Sequence, residues 1–160
     1  MIEEKLASLG FSISQTPSPA GSYVPVIKSG RLVFVSGQMP FIGNSAGLPE
    51  KYIGKIPDPV SIDVGKEAAK ICVINCLSHI KSLLGDLDLV TRFIKLTGYV
   101  NCRPDFTEHP KVINGASDFL NELFGEKGKH TRVAVGAISL PLGSAVEIDF
   151  LCEVKSENND

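Results

Sequence analysis

The chain has 160 residues, of which 43% are hydrophobic and 21% charged, with a formal net charge of −2. That is enough length and apolar content for one domain with a core of its own. The small negative charge gives no general attraction to nucleic acid or to an anionic membrane, and no run approaches the roughly 20 apolar residues of a membrane span.

The opening MIEEKLASLGF places acidic residues early and has no long apolar run, which argues against a secretory signal. Residues 1–9 read instead as a short amphipathic helix stopped by Gly10. A short strand over 11–14 and a loop, TPSPAGSY, are expected next. Tyr23 leads into the clearest hairpin pattern: one strand over 23–27, a tight turn at Ser29-Gly30, and a second strand over 31–38 dense in β-branched and aromatic residues. Residues 41–59 are weakly patterned and long for a compact domain, so they are expected to be a mobile rim or to be ordered by a neighbouring subunit.

From residue 60 the pattern becomes helical. Ser61 or Asp63 is placed to cap a helix running through KEAAKICVINCLSHIKSLL to Gly85. Its apolar surface is broad, so the helix should be largely covered, with His79 on its solvent side. Residues 87–90 connect to TRFIKLTGYVNC, which reads as a strand of about ten residues. A second long helix is expected within 106–125, with Thr107 as a cap candidate, Pro110 in the first turn and Gly125 as the stop.

Residues 132–138 and 145–151 read as two more strands, joined by SLPLGS as a hairpin or a near neighbour of one. Because successive side chains alternate between faces, Arg132 shares a face with Ala134 and Gly136, leaving open space beside a permanent positive charge. On the following strand Glu147 and Asp149 share a face. If the strands adjoin, Arg132 and Glu147 could form a solvated cross-strand pair. The tail over 156–160 is polar and expected to fray. The whole chain, 1–160, reads as a single α+β domain, one sheet with two long helices packed on one face. The other sheet face then requires a cover, which points to oligomerisation.

The four cysteines, Cys72, Cys76, Cys102 and Cys152, form no CxxC unit, and the three histidines show no ligand spacing with them, so no metal site is expected. Reduced, mostly buried thiols in a cytoplasmic protein are the expectation. Neither His109 nor His130 has a paired nucleophile at readable spacing.

Three stretches, GSYVPVIKSGRLVFVSGQMP, NGASDFLNELFG and TRVAVGAISLPLGSAVEID, together resemble the YjgF/RidA family, also called the L-PSP endoribonuclease-like family. The match runs from about Gly21 onward, and the ordered SGQ-P and R-x(7)-LP-x(4)-VEI elements are its specific part. The resemblance implies a chorismate-mutase-like fold, a homotrimer, and active sites in clefts between subunits. It implies hydrolytic deamination, without a cofactor, of reactive 2-imino and 2-enamino acids to 2-oxo acids and ammonia. Arg132 would then grip the substrate carboxylate and Glu147 would position or activate water. Tyr23 and Ser36 would line the cleft, with Asn114 near it. Where the deaminase branch often has cysteine two residues beyond the arginine, this chain has Ala134, whose backbone N–H remains available to the carboxylate. Residues 41–59 are also longer than in typical members, which marks a divergent branch.

Each residue also has a structural reading: Tyr23 closing a strand end, Ser36 satisfying backbone groups, and Asn114 at a subunit contact. Two further functions fit the family, a non-catalytic binder or sensor of small carboxylate metabolites and an endoribonuclease. The dispersed basic residues disfavour the last, since single-stranded RNA binding uses a basic groove with stacking aromatics. The expected partners are therefore identical subunits and a small carboxylate, rather than membrane or nucleic acid.

Overall fold

The elements run α1 (Ile2–Ser8), β1 (Val26–Ser29), β2 (Leu32–Gln38), α2 (Ile62–Leu84), β3 (Val90–Asn101), α3 (His109–Phe124), β4 (Thr131–Ala137) and β5 (Val146–Val154). The computed structural model describes residues 1–13, 21–43 and 45–156. Most of the 16–23 loop and, beyond Ser156, the expected frayed tail lie outside the described residues. So does the end of the expected 11–14 strand, whose described residues take no regular structure; Phe11 packs edge-on against Phe119.

Helix ends follow the local chemistry. Ser61 caps α2, its Oγ accepting from the Val64 N–H at 3.2 Å, and Gly85 ends the helix in the left-handed region at φ 79°. In α3 the residue before the first turn is Glu108 rather than Thr107, and Pro110 occupies the first turn, where its missing N–H does no harm.

The five strands form one sheet in the order β1-β2-β5-β3-β4. β1 and β2 make the expected antiparallel hairpin, but β4 and β5 do not pair with each other. β3 lies between them, parallel to β4 and antiparallel to β5. The segment from β3 through α3 to β4 is a crossover connection, the arrangement that brings a following strand in parallel to its predecessor. The turn after β4 then carries the chain past β3 to its far side. Adjoining strands for Arg132 and Glu147 are therefore ruled out.

Both long helices cover the same sheet face, where Phe93 meets Phe124 and Phe150 edge-on at 4.8 and 5.2 Å. Leu96, Val100, Val146 and Ile148 from the sheet are buried in one core cluster with Leu77, Ile80, Val112 and Leu120. The helices approach so closely that a β-carbon on Gly115 of α3 would stand 2.2 Å from the Lys66 carbonyl oxygen of α2. Only glycine permits that approach. His79, expected on the solvent side, is buried, and its Nε2 lies 3.1 Å from Gln38 Oε1. The covered surface of α2 extends further round than its spacing suggested because Gln38 reaches over it beyond the β2 bulge.

Residues 41–59 are ordered by their own chain, Asn44 lying outside the description. Tyr52 and Ile56 are fully buried, the Tyr52 hydroxyl donates to Glu67 Oε1 at 2.8 Å, and Ile56 bridges Cys102. The opposite sheet face leaves Ile27, Phe34, Val133 and Val135 exposed in the single chain.

Candidate functional site

Alternation along β4 decides where its charge goes. Arg132 pairs in register with Leu96, which is buried under the helices, so Arg132 also leaves the sheet on the helix side. There α3 presents Asn114 and Ser117, three residues apart and thus on one helix face. Arg132 Nη1 donates to Asn114 Oδ1 at 2.8 Å and to Ser117 Oγ at 3.2 Å. No carboxylate among the described residues pairs with this half-buried guanidinium. Ser117 Oγ also lies 2.9 Å from His130 Nε2, and His130 Nδ1 lies 2.6 Å from the Gly128 carbonyl oxygen.

Beyond Arg132 the same face of β4 carries Ala134 and Gly136. A β-carbon on Gly136 would come within 2.7 Å of His109 Nε2 and 2.8 Å of Cys102 Sγ. Those two atoms are themselves 3.4 Å apart, beside a cavity of about 230 Å³. His109 therefore does have a thiol partner, brought from seven residues away by the bend between β3 and α3. Burial pushes the Cys102 thiol up, so the pair rests as a neutral thiol beside an imidazole.

A second group gathers on the other face. Glu147 pairs in register with Tyr99, away from the helices, and its carboxylate lies over the β2 bulge. A β-carbon on Gly37 would stand 2.1 Å from Glu147 Oε1. Ser36 Oγ donates to the Val24 carbonyl at 3.0 Å, which ties the bulge to the segment carrying Tyr23, itself half exposed. Partial burial, and then the neighbouring Asp149 charge, raise the Glu147 pKa above the ordinary glutamate range. Asp149 Oδ2 accepts from the Tyr99 hydroxyl at 2.9 Å.

The anticipated residues thus form two groups: Arg132, Asn114 and Ala134 on the helix side of the sheet edge, and Tyr23, Ser36 and Glu147 on the open side. Arg132 and Glu147 are not a cross-strand pair, because β3 separates their strands and they leave the sheet on opposite faces. Ser117, His130, Gly37 and the Cys102–His109 contact were not anticipated. The three-residue spacing of Asn114 and Ser117, which puts both on one face of α3, was the available signal for the first of these. Among the described residues no three metal-binding side chains converge, and no helix is long and apolar enough to cross a membrane.

The family model described as "YjgF/chorismate mutase-like, putative endoribonuclease" matches residues 3–154. The chain belongs to this family. Protein TCP17 of Trypanosoma cruzi is 39% identical over 156 residues, covering 97% of this chain and 95% of that protein. A RutC family protein of Pyrococcus horikoshii is 29% identical, over 84% of this chain and 89% of its own. Among solved structures, a protein of unknown function from Agrobacterium tumefaciens superposes with a TM-score of 0.85 at 39% identity, covering 96% of this chain and 93% of its own. A Shewanella oneidensis protein described as a "putative endoribonuclease" reaches 0.89 at 27% identity, with 96% and 99% covered. The two-helix, one-sheet architecture is therefore that of the YjgF chorismate-mutase-like fold.

Proposed function

We propose that the chain hydrolyses reactive 2-imino and 2-enamino acids to 2-oxo acids and ammonia, in a cleft completed by a second copy of itself within a homotrimer. The observation that carries this reading is the Arg132 guanidinium, anchored through Nη1 to two neutral side chains and paired with no carboxylate among the described residues; the open space expected beside it is filled at Gly136 by His109 and Cys102. A planar guanidinium binds a carboxylate through two parallel hydrogen bonds, which a lysine cannot reproduce. The Ala134 backbone N–H is the further carboxylate donor in this reading.

Glu147 supplies the water chemistry. As water oxygen bonds to the iminium carbon, a water proton passes to the Glu147 carboxylate. Glu147 returns that proton to the carbinolamine nitrogen, the C–N bond breaks as the hydroxyl gives its own proton to the freed carboxylate, ammonia leaves, and the carbonyl of the 2-oxo acid forms. An enamine first takes a proton at C3 from solvent, which makes it the iminium, and then follows the same course. A carboxylate whose pKa is raised by burial is suited to accept a proton and return it. The substrate carbon is already electrophilic, so orientation supplies much of the remaining acceleration.

Trimerisation is supported by the exposed apolar residues of the open face and by the division of the site residues between two faces. Tyr23 and Ser36 of one copy then wall the cleft that receives Arg132 and Asn114 of the next. Four unpaired cysteines suit a reducing, cytoplasmic setting.

The test generates 2-aminoacrylate or a branched imino acid in situ with a pyridoxal-phosphate enzyme and follows 2-oxo acid release. Purified protein should accelerate release, and Arg132→Ala should abolish the acceleration while leaving the trimer folded. Release no faster than in buffer overturns the reading. Thermal stabilisation by pyruvate or 2-oxobutyrate without turnover would instead identify a carboxylate sensor, and RNA cleavage lost in Arg132→Ala would identify a ribonuclease.

A further inference from the structure

We infer that His130 is a positioning residue which, acting through Ser117, sets the direction in which Arg132 presents its unbonded edge. This rests on the reading of Arg132 as the carboxylate-binding group and adds to it two residues, Ser117 and His130, to which the resemblance gave no role. Three contacts in line carry it: Gly128 O to His130 Nδ1 at 2.6 Å, His130 Nε2 to Ser117 Oγ at 2.9 Å, and Ser117 Oγ to Arg132 Nη1 at 3.2 Å.

The hydrogen-bond directions follow from one end to the other. A carbonyl oxygen only accepts, so Nδ1 of His130 carries the ring proton. In the neutral ring Nε2 is then a lone pair, and the proton between it and Ser117 is that of the hydroxyl. Ser117 therefore donates to His130 and turns its oxygen lone pairs toward Arg132, whose guanidinium has donors and no acceptor. A hydroxyl free to rotate could point its proton at the guanidinium; His130 removes that choice.

The consequence is geometric. Asn114 Oδ1 and Ser117 Oγ both accept from Nη1, which holds the orientation of the guanidinium. Among the described residues nothing bonds Nη2 or Nε, and these form the fork that a carboxylate takes side-on. The ring of His130 is also placed to link the Gly125–Gly128 turn to α3, so a purely structural role is the competing account.

The experiment uses the full chain and separates the two accounts. In buffer alkaline enough to keep the imidazole neutral, two-bond proton–nitrogen correlation of labelled histidine should show His130 protonated at Nδ1; protonation at Nε2 overturns the inference. The Arg132 guanidinium signal, assigned with Arg132→Lys, should show slow exchange of its Nη1 hydrogens. That protection should be lost in Ser117→Ala and in His130→Ala and kept in Ser117→Thr. An unchanged guanidinium signal in His130→Ala overturns the inference. In oxo-acid release, His130→Ala should raise KM about tenfold with kcat changed less than about twofold, the signature of carboxylate binding lost equally from the ground and transition states. A fall in thermal stability with kcat and KM both intact would instead make His130 structural. If wild-type protein releases no oxo acid, the proposed reaction fails, while the tautomer and guanidinium signals still decide the relay.

Discussion

Gly37 and Glu147 are in a contact that no side chain at position 37 could share, since an added β-carbon would stand 2.1 Å from Oε1 of the carboxylate. The group displaced is the far end of a flexible side chain, so Gly37→Ala should let Glu147 swing away with little loss of fold. Oxo-acid release should fall by about tenfold or more through misplacement of the base, with a nearly unchanged melting temperature. Parallel kinetic and thermal measurements check it.

Gly115 and Lys66 form the opposite case. A β-carbon there meets backbone at 2.2 Å, which cannot rotate away, so Gly115→Ala must part α2 and α3. Overpacking of this kind costs about 1–3 kcal/mol, and the expectation is destabilisation of that order in urea unfolding. Because Asn114 and Ser117 flank the contact, activity should fall together with stability.

The pH dependence follows from Glu147. Its folded-state pKa is raised, by burial first and by Asp149 second, so the folded chain holds this proton more tightly than the unfolded chain. Stability should therefore decline as pH rises from the ordinary glutamate value through the raised one, the reverse of a salt-bridged carboxylate. Glu147→Gln should flatten that decline and stop turnover. Since the base must be ionised, the acid limb of the rate profile should lie above the ordinary glutamate range, and Asp149→Asn should move it down. Melting temperatures and kcat/KM across pH give both curves.

The four thiols should differ in reactivity. Cys72 and Cys76 have no exposure, and burial pushes Cys152 up to about 12, whereas Cys102 borders a cavity beside His109. Iodoacetamide should alkylate Cys102 first in the folded protein, as read by peptide mass spectrometry. Cys102→Ser should leave the folded chain almost inert to the reagent.

Much of the architecture was legible because it rests on local signals. Ser61, Gly85 and the apolar spacing bound α2, and alternation correctly put Arg132 with Ala134 and Gly136, and Glu147 with Asp149. Strand partnership was not local: SLPLGS looks like a hairpin turn, and only the docking of α3 shows that β3 separates β4 from β5. His79 was misplaced for a similar reason, since its cover comes from Gln38, 41 residues away. Residues 41–59 lacked a period because Tyr52 and Ile56 anchor them singly. The supports of Arg132 were hidden too, as Ser117 and His130 meet through the fold rather than along the chain.

The placement of Arg132 and Glu147 on opposite faces of one sheet makes two defects repairable between chains. On the proposed trimer, Arg132→Ala supplies a sound glutamate and Glu147→Ala a sound arginine. Each should be inert alone. Dissociated, mixed in equal amounts and reassembled, they should regain activity in about a quarter of their clefts by random assortment around the ring.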